Sequence, residues 1–402
     1  MKKLLSLLAA ALLFPAAANA DVLQNVNLKG DIQTIASDVN HNNAAVAYNR
    51  GTTARVLAGI SADLVEDVTA NLTFQYANVW GNDDARGETV DTYWNRVRLV
   101  EGNVVLHNLF CCLEATVGRQ FYGEEDSAVM YFGPNHYNAE FNGYTRSLDA
   151  AKVTYADDVK AFTVIAGRTN RTALGNTPVF DTYSFFGADL KLNLTDTFTA
   201  QVYGYDVRDA YMHNGNVDQN AGFYGTKLTF KPEAFRLSAE YARNFGGKNL
   251  IREHDATGHM AKVDIAADID AFTVRGAALY ANGNFFALGN YTPGLLIGHR
   301  LGGDIFDYSE KNGVAMFNVG FDVKPANKWT VSLDGYTFQD HRMDHSATLE
   351  ADLTVKYDHN EYVQLFAGAG YAKLTTWAGS NFNKANYGSD NVKGQLGMLI
   401  KF

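Results

Sequence analysis

Apolar and polar residues alternate with a period of two along most of this chain. In the segment TARVLAGISADL five apolar residues share one face, namely Val56, Ala58, Ile60, Ala62 and Leu64, while Arg55, Gly59, Ser61 and Asp63 share the other. The segment ATLEADLTVKY divides in the same way, with Leu349, Ala351, Leu353, Val355 and Tyr357 opposite Thr348, Glu350, Asp352, Thr354 and Lys356. A strand places alternate side chains on opposite faces, whereas a helix would mix them. One face suits lipid and the other suits water, as in a strand of a membrane barrel.

The alternation predicts about eighteen strands. They are expected near residues 25-38, 52-65, 67-80, 95-108, 111-122, 145-156, 158-169, 181-193, 196-208, 219-230, 234-246, 258-268, 271-283, 312-323, 328-341, 346-357, 361-374 and 388-402.

The connections between these strands alternate in length. Short turns are predicted at Glu66, near Leu109, at Asp157, around Thr195, Pro232, Ile269 and Asn327, and at His359, with long loops between them. Bacterial barrels place short turns and both termini in the periplasm and long loops outside. A soluble β-sandwich gives no reason for this regularity. The predicted fold class is all-β, a transmembrane antiparallel β-barrel of about 18 strands.

The two ends of the chain agree with an exported barrel. Residues 1-20 combine two lysines, a short apolar run and a small-x-small site, so we expect a secretory signal peptide cleaved after Ala20. The apolar run is too short for a transmembrane anchor, and the cleavage site lacks the cysteine of a lipoprotein. Residues 21-402 then form the barrel, whose last strand ends on Phe402 and resembles the signal read by the barrel assembly machinery.

Composition removes several alternatives. After the signal peptide no segment approaches eighteen consecutive apolar residues, so transmembrane helices are excluded and a closed barrel is the remaining way to cross lipid. The net charge of -10 argues against a nucleic-acid partner. The only cysteines, Cys111 and Cys112, are adjacent, and we interpret them as turn residues without a redox role.

A barrel of about sixteen to eighteen strands is too wide for side chains to fill, so we expect an aqueous channel unless loops fold inward. The alternation projects ten bases into the lumen: Lys29, Arg55, Lys152, Lys191, Lys227, Arg236, Lys262, Arg275, Lys356 and Lys393. Arg96 and Arg98 are further candidates beside a break in the alternation near Val100. Ten acids also project inward: Asp31, Asp63, Glu114, Asp189, Glu240, Asp264, Asp322, Asp334, Glu350 and Asp352. Such a mixed wall either sets a weak ion selectivity or simply pairs its charges across neighbouring strands.

Two other features bear on the solute path. Inward-facing tyrosines are predicted at Tyr183, Tyr203, Tyr205 and Tyr336, and they suit stacking against sugar rings, although barrel aromatics are more often interface girdle residues. The longest loop, residues 284-311, is expected outside the cell and is a candidate constriction, with His299, Arg300 and Asp304 in it.

Several segments resemble the bacterial alginate-export porin family, which includes eighteen-stranded carbohydrate-permeable barrels. The likeness rests on LEATVGRQFYG around Arg119, RSLDAAKVTY with Asp149 and Lys152, FTVIAGRTN with Arg168, DTYSFFGADLKL, and GHRLGGD. Membership would imply passive movement of an acidic oligo- or polysaccharide drawn by lumenal bases, and Lys152 is the base at the matching position. Two features depart from the family, because the predicted lumen is balanced in charge and the prototype's long periplasmic loop after the sixteenth strand is here a turn near His359.

The sequence therefore predicts an outer-membrane porin of a Gram-negative bacterium for passive diffusion of hydrophilic solutes. Expected partners are lipid, lipopolysaccharide and small hydrophilic or saccharide solutes, and no cofactor or metal is expected because no zinc, phosphate-loop or dinucleotide motif is present. One alternative is a hydrolase, since QDHRMDHS places His341 and His345 near Asp340, Asp344 and Ser346, although such residues at a loop tip are usually solvated. The other is a structural or adhesive barrel whose lumen is closed by loops.

Overall fold

The computed structural model describes residues 23-41, 49-80, 97-138, 143, 145-169, 183-209, 220-246, 257-282, 285-297, 313-344, 346-375 and 388-402. These residues form one closed antiparallel sheet of 18 strands, which confirms the predicted fold class. The strands are β1 (Gln24–His41), β2 (Asn49–Val65), β3 (Val68–Trp80), β4 (Val97–Leu109), β5 (Leu113–Gln120), β6 (Leu148–Ala156), β7 (Lys160–Thr169), β8 (Tyr183–Thr195), β9 (Phe198–Asp209), β10 (Asn220–Phe230), β11 (Phe235–Gly246), β12 (Gly258–Ile269), β13 (Phe272–Ala281), β14 (Val314–Ala326), β15 (Trp329–Gln339), β16 (Thr348–Asp358), β17 (Val363–Lys373) and β18 (Asp390–Lys401).

Each strand pairs with its neighbours in the chain, and the ring closes between the first and last strands. The pairing of β1 with β18 runs from Asp31 opposite Lys401 to His41 opposite Asn391. Gly30 and Phe402 exchange two backbone hydrogen bonds, of 2.9 and 3.1 Å, at the end of this seam. Within the described ranges no helix is long and apolar enough to span a membrane.

The two faces of the wall differ as the alternation predicts. On β16, Leu349 and Leu353 point outward and are 48% and 45% exposed, whereas Glu350 and Asp352 point inward and are each 3% exposed. Large apolar side chains also cover the outward face of other strands, including Val117, Phe162, Phe186, Val202, Ile265, Phe272, Phe317, Val319 and Leu396. An apolar outer face of this kind is what lipid tails require.

A bulge explains the break in the alternation on β4. The register between β3 and β4 shifts between Thr73 and Phe74, beside Val100. An extra residue in one strand reverses the facing of the residues beyond it. On the far side of the shift Arg98 pairs with Gln75, whose side chain is buried within the barrel. Arg98 therefore belongs to the inward face.

Two parts of the extracellular loops fold into the barrel. We call residues 121-138, which follow β5, the first inner segment, and residues 285-297, which follow β13, the second inner segment. Apolar side chains of both segments share a buried cluster with inward residues of the wall, including Met130, Phe132, Phe285, Phe286, Leu288, Leu296, Phe185, Phe223, Met260, Met316 and Phe338. Packed backbone, and not only wall side chains, therefore narrows the lumen.

Candidate functional site in the lumen

The first inner segment is attached to the wall at β1 and β2. The buried guanidinium of Arg55 donates to Asp31 Oδ1 at 2.8 Å and to the backbone oxygen of Asn135 at 2.5 Å. Removing one partner of a buried ion pair is strongly destabilising, because the other charge is left without compensation. Arg55, predicted as a base on the solute path, is therefore placed where it anchors this segment.

His136 extends the attachment through both of its ring nitrogens. Its Nε2 lies 3.4 Å from Asp31 Oδ2, and its Nδ1 lies 2.9 Å from Glu125 Oε2. Burial lowers the pKa of His136, but hydrogen bonds to the two carboxylates outweigh burial, so the pKa lies above its usual value. Only the protonated ring can donate to both acids at once. The attachment is therefore strongest when His136 is charged.

The same segment also contacts β16 and β17. The hydroxyl of Tyr137 donates to Gln364 Oε1 at 2.8 Å, and its ring meets Phe366 edge-on with centroids 5.2 Å apart. The Lys356 ammonium lies 4.3 Å from the Tyr137 ring centroid, within the range of a cation–π contact. Lys356, another predicted lumenal base, is thus also in contact with the inserted backbone.

The two inner segments are joined to each other inside the barrel. Met130 and Leu288 form a parallel β-bridge. The amide of Tyr131 donates to the Leu288 oxygen at 3.0 Å, and the Leu288 amide donates to the Val129 oxygen at 2.9 Å. These bonds satisfy backbone groups that would otherwise be buried without partners. The two segments therefore form a single inserted unit.

Two acids of β16 hold the second inner segment, three strands round the ring from the attachment of the first inner segment at β1. Glu350 accepts hydrogen bonds from the amides of Leu296 at 2.7 Å and Ile297 at 2.9 Å. Asp352 accepts one from the amide of Leu295 at 2.9 Å. We call Glu350 and Asp352 the carboxylate clamp.

Position 294 of the second inner segment requires glycine. Gly294 has a φ of +80°, in the left-handed region that other residues rarely adopt. A Cβ at this position would lie 2.7 Å from Glu350 Oε1, closer than van der Waals contact allows. The backbone reaches the carboxylate clamp because residue 294 has no side chain.

Six of the ten predicted lumenal bases are paired with carboxylates, and three of them, Arg55, Arg236 and Arg275, pair across neighbouring strands. Besides Arg55, the pairs are Lys29 with Glu101, Lys227 with Glu124, Arg236 with Asp268, Lys262 with Asp264, and Arg275 with both Asp322 and Asp334, at nitrogen to oxygen distances of 2.8 to 3.2 Å. Lys152 and Lys191 also lie on the inward face, and neither makes a hydrogen bond or ion pair with another residue of the described ranges. Lys191 nevertheless interacts electrostatically with the carboxylates of Glu124 and Asp189, so Lys152 is the stronger candidate for unneutralised charge on the path.

The remaining predicted site residues fall into two groups. Lys393 is buried in the wall, and Tyr203 and Tyr336 lie in or against the apolar cluster. Residues outside the described ranges are Arg96, His299, Arg300 and Asp304, together with the side chain of Tyr183.

The described part of the predicted constriction loop, residues 285-297, does lie in the lumen. Nothing in the strand pattern predicts the first inner segment. A usable signal was the run AVMYF at residues 128-132, five consecutive apolar residues inside a long extracellular loop. Loops normally run over the surface, so an apolar run in one of them needs a place to be buried.

Two residues of the hairpin tip considered for a hydrolase, Asp340 and His341, contact other parts of the hairpin and strand β13. Asp340 is 2% exposed and accepts a hydrogen bond from the Asp344 amide, while His341 meets the Tyr280 ring edge-on at 6.3 Å. His345 lies outside the described residues. Among the residues described, no group of three His, Cys, Asp or Glu side chains could hold a metal ion.

A closed ring of this size with a polar inner wall and inserted loops has the architecture of an outer-membrane porin. Three solved structures share the fold. OccAB1 of Acinetobacter baumannii matches with a TM-score of 0.67 at 12% identity, over 95% of this chain and 97% of that one. OpdO of Pseudomonas aeruginosa matches with a TM-score of 0.65 at 10% identity, over 96% of this chain and 99% of that one. OccK9 of the same organism matches with a TM-score of 0.64 at 11% identity, over 94% of this chain and 99% of that one. No protein-family model and no curated protein matches the chain.

At these identities the likeness concerns the fold. An 18-stranded barrel with an apolar outer face fits the outer membrane of a Gram-negative bacterium, in contact with lipid and lipopolysaccharide. The resemblance to the alginate-export family stays a prediction. So do the signal peptide, which lies outside the described residues, and the role of Phe402 in assembly.

Proposed function

We propose that this protein is a porin through which small hydrophilic solutes diffuse passively across the outer membrane. The observation that carries the proposal is the closed ring of 18 strands with a polar inner face. A ring of this circumference encloses more space than its own side chains can fill. The two inner segments narrow that space, so the proposed solutes are small.

The charges of the wall support weak ion selectivity. Bases and acids of the lumen are mostly paired, and a pair contributes little net field to a passing ion. The inward-facing Lys152 supports a slight preference for anions, and on that basis we include short acidic sugars among the proposed solutes. A long polysaccharide fits this lumen less well, because the inner segments are held at β1, β2 and β16 and also pack against Phe185 of β8 and Phe223 of β10 across the ring.

Conductance of the refolded protein in planar lipid bilayers tests the proposal. We expect discrete, stable current steps and, under a salt gradient, a reversal potential that indicates weak anion preference. The buried apolar cluster inside the ring favours one rival, a structural barrel with a closed lumen. Correctly folded protein that gives no current steps would support that rival and refute the channel.

A further inference from the structure

A partly open cavity of about 160 Å3 lies between the first inner segment and the inward face of strands β7 to β11. In the ring of strands this position is half-way round from the attachment at β1 and β2. Tyrosines, acids and one lysine line it, chiefly Tyr122, Glu124, Asp189, Tyr203, Lys227 and Glu240. The cavity therefore faces the solute path with both aromatic and hydrogen-bonding groups.

Aromatic rings gather on one side of this cavity. The Tyr205 ring stacks between two others. Its centroid lies 5.4 Å from that of Tyr203 and 5.8 Å from that of Phe185, with an interplanar angle of 23° in each pair. Tyr122 meets Tyr205 edge-on at 6.1 Å. The Tyr203 ring can lie over strand β10 because residue 225 is glycine, where a Cβ would be 2.4 Å from the Tyr203 hydroxyl. Phe185 is fully buried behind the cavity and Tyr203 is 6% exposed, so the partly exposed rings of Tyr122 and Tyr205 supply most of the apolar surface, with hydroxyls at its edge.

The polar groups of the cavity are held in place. Each of its three acids accepts a hydrogen bond from a neighbour: Glu240 from Tyr203 at 2.7 Å, Glu124 from Lys227 at 3.0 Å, and Asp189 from Gln201. Burial raises the pKa of Glu124, but the Lys227 ammonium outweighs burial and holds the pKa below its usual value. An ionised carboxylate has about four lone-pair sites, so each acid can accept further hydrogen bonds.

We infer that this cavity is a binding subsite for a neutral sugar of one ring, on the path of the channel proposed above, on which the inference rests. A neutral sugar supplies several hydroxyl donors for fixed carboxylates and a C–H face for an aromatic surface. An anion would meet three carboxylates against one ammonium. The volume is about tenfold larger than the roughly 10 to 15 Å3 that a cavity needs to hold one water, so the cavity has room for a ligand the size of a single sugar ring.

Glucose added to an open channel in a planar bilayer tests the subsite. We expect a saturable decrease in ion current with added current noise. Tyr203→Ala should raise the half-blocking concentration about tenfold by removing ring surface, and Glu240→Gln about threefold by weakening an acceptor. Glu114→Gln is the matched control, since it removes the same charge from the inward face of β5, outside the cavity lining. The half-blocking concentration of glucose for this variant should equal that for the native protein.

Each result separates the subsite from the channel. Normal conductance without any glucose block refutes the subsite and leaves the channel standing. A glucose block that is unchanged in both cavity variants would also refute the subsite. A stronger block by choline or acetate than by glucose would refute it as well. Saturation-transfer NMR of glucose with the detergent-folded protein does not depend on conduction. Glucose signals that vanish in Tyr203→Ala would support the subsite even if no current steps are seen, whereas glucose signals absent from the native protein would refute it.

Discussion

Replacing Glu350 with alanine should release the second inner segment from the wall. Glu350 is the acceptor for the Leu296 and Ile297 amides, at 2.7 and 2.9 Å, and alanine would leave both donors without that partner. Asp352 would keep its single bond to Leu295. The barrel itself should persist, because the strand pairing of β16 uses backbone groups.

The size of the effect follows from the number of bonds lost. Leaving a buried amide donor without a partner costs about 1 to 3 kcal/mol, so two of them cost about 2 to 6 kcal/mol. Since 1.4 kcal/mol corresponds to a factor of ten, the lower figure weakens the inserted state by about thirtyfold. We expect segment withdrawal to become visible as a larger single-channel conductance with more open-channel noise. Glu350→Gln keeps one acceptor oxygen and should give an intermediate result.

Glu114→Ala is the control for this measurement, because it also removes an inward-facing carboxylate and lies beside His107 near the periplasmic end of β5. A difference in gel mobility between unheated and heated samples, equal to that of the native protein, would establish that each variant is folded. If folded Glu350→Ala matched both the native protein and Glu114→Ala in conductance and noise, the clamp would not determine the width of the pore.

Three further predictions concern other parts of the barrel. The pKa of His136 is raised in the folded state, so the contribution of His136 to segment anchoring is complete below about pH 6.5 and is lost as the pH rises through the folded pKa. Open-channel noise should therefore rise over that pH range. His136→Asn should abolish this pH dependence. Lys152→Ala should move the reversal potential toward cation preference. Lys160→Ala removes a lysine from the periplasmic end of β7 and should leave the reversal potential unchanged. Equal shifts in the two variants would contradict the assignment of Lys152 to the solute path. Deleting Phe402 should reduce the amount of folded barrel in outer-membrane fractions, and normal amounts would contradict its proposed role in assembly.

The strands could be predicted because one residue in two must face lipid. On β16 the outward Leu349 and Leu353 and the inward Glu350 and Asp352 repeat this rule, and the turn at His359 follows it. The rule is local, so it needs no knowledge of the partner strand. Even the irregularity near Val100 was visible as a failed alternation.

The interior could not be predicted in the same way, because its contacts join residues far apart in sequence. Arg55 is an inward base in the pattern, but its bond to Asn135 depends on a loop 80 residues away. Glu350 is an inward acid like Glu114, and only the second inner segment distinguishes them. Periodicity determines which side of the wall a charged residue occupies, but it does not specify which loop residue will contact that charge.

The β-bridge between Met130 and Leu288 makes the two inner segments mechanically dependent on each other. A force or a ligand that displaces one of them must either break that bridge or carry the other along. Channel closures should therefore occur as single all-or-none transitions and not as two independent partial levels. Loop motion in this barrel would then be cooperative across the full width of the pore, so a solute that contacts one wall could be sensed at the opposite wall.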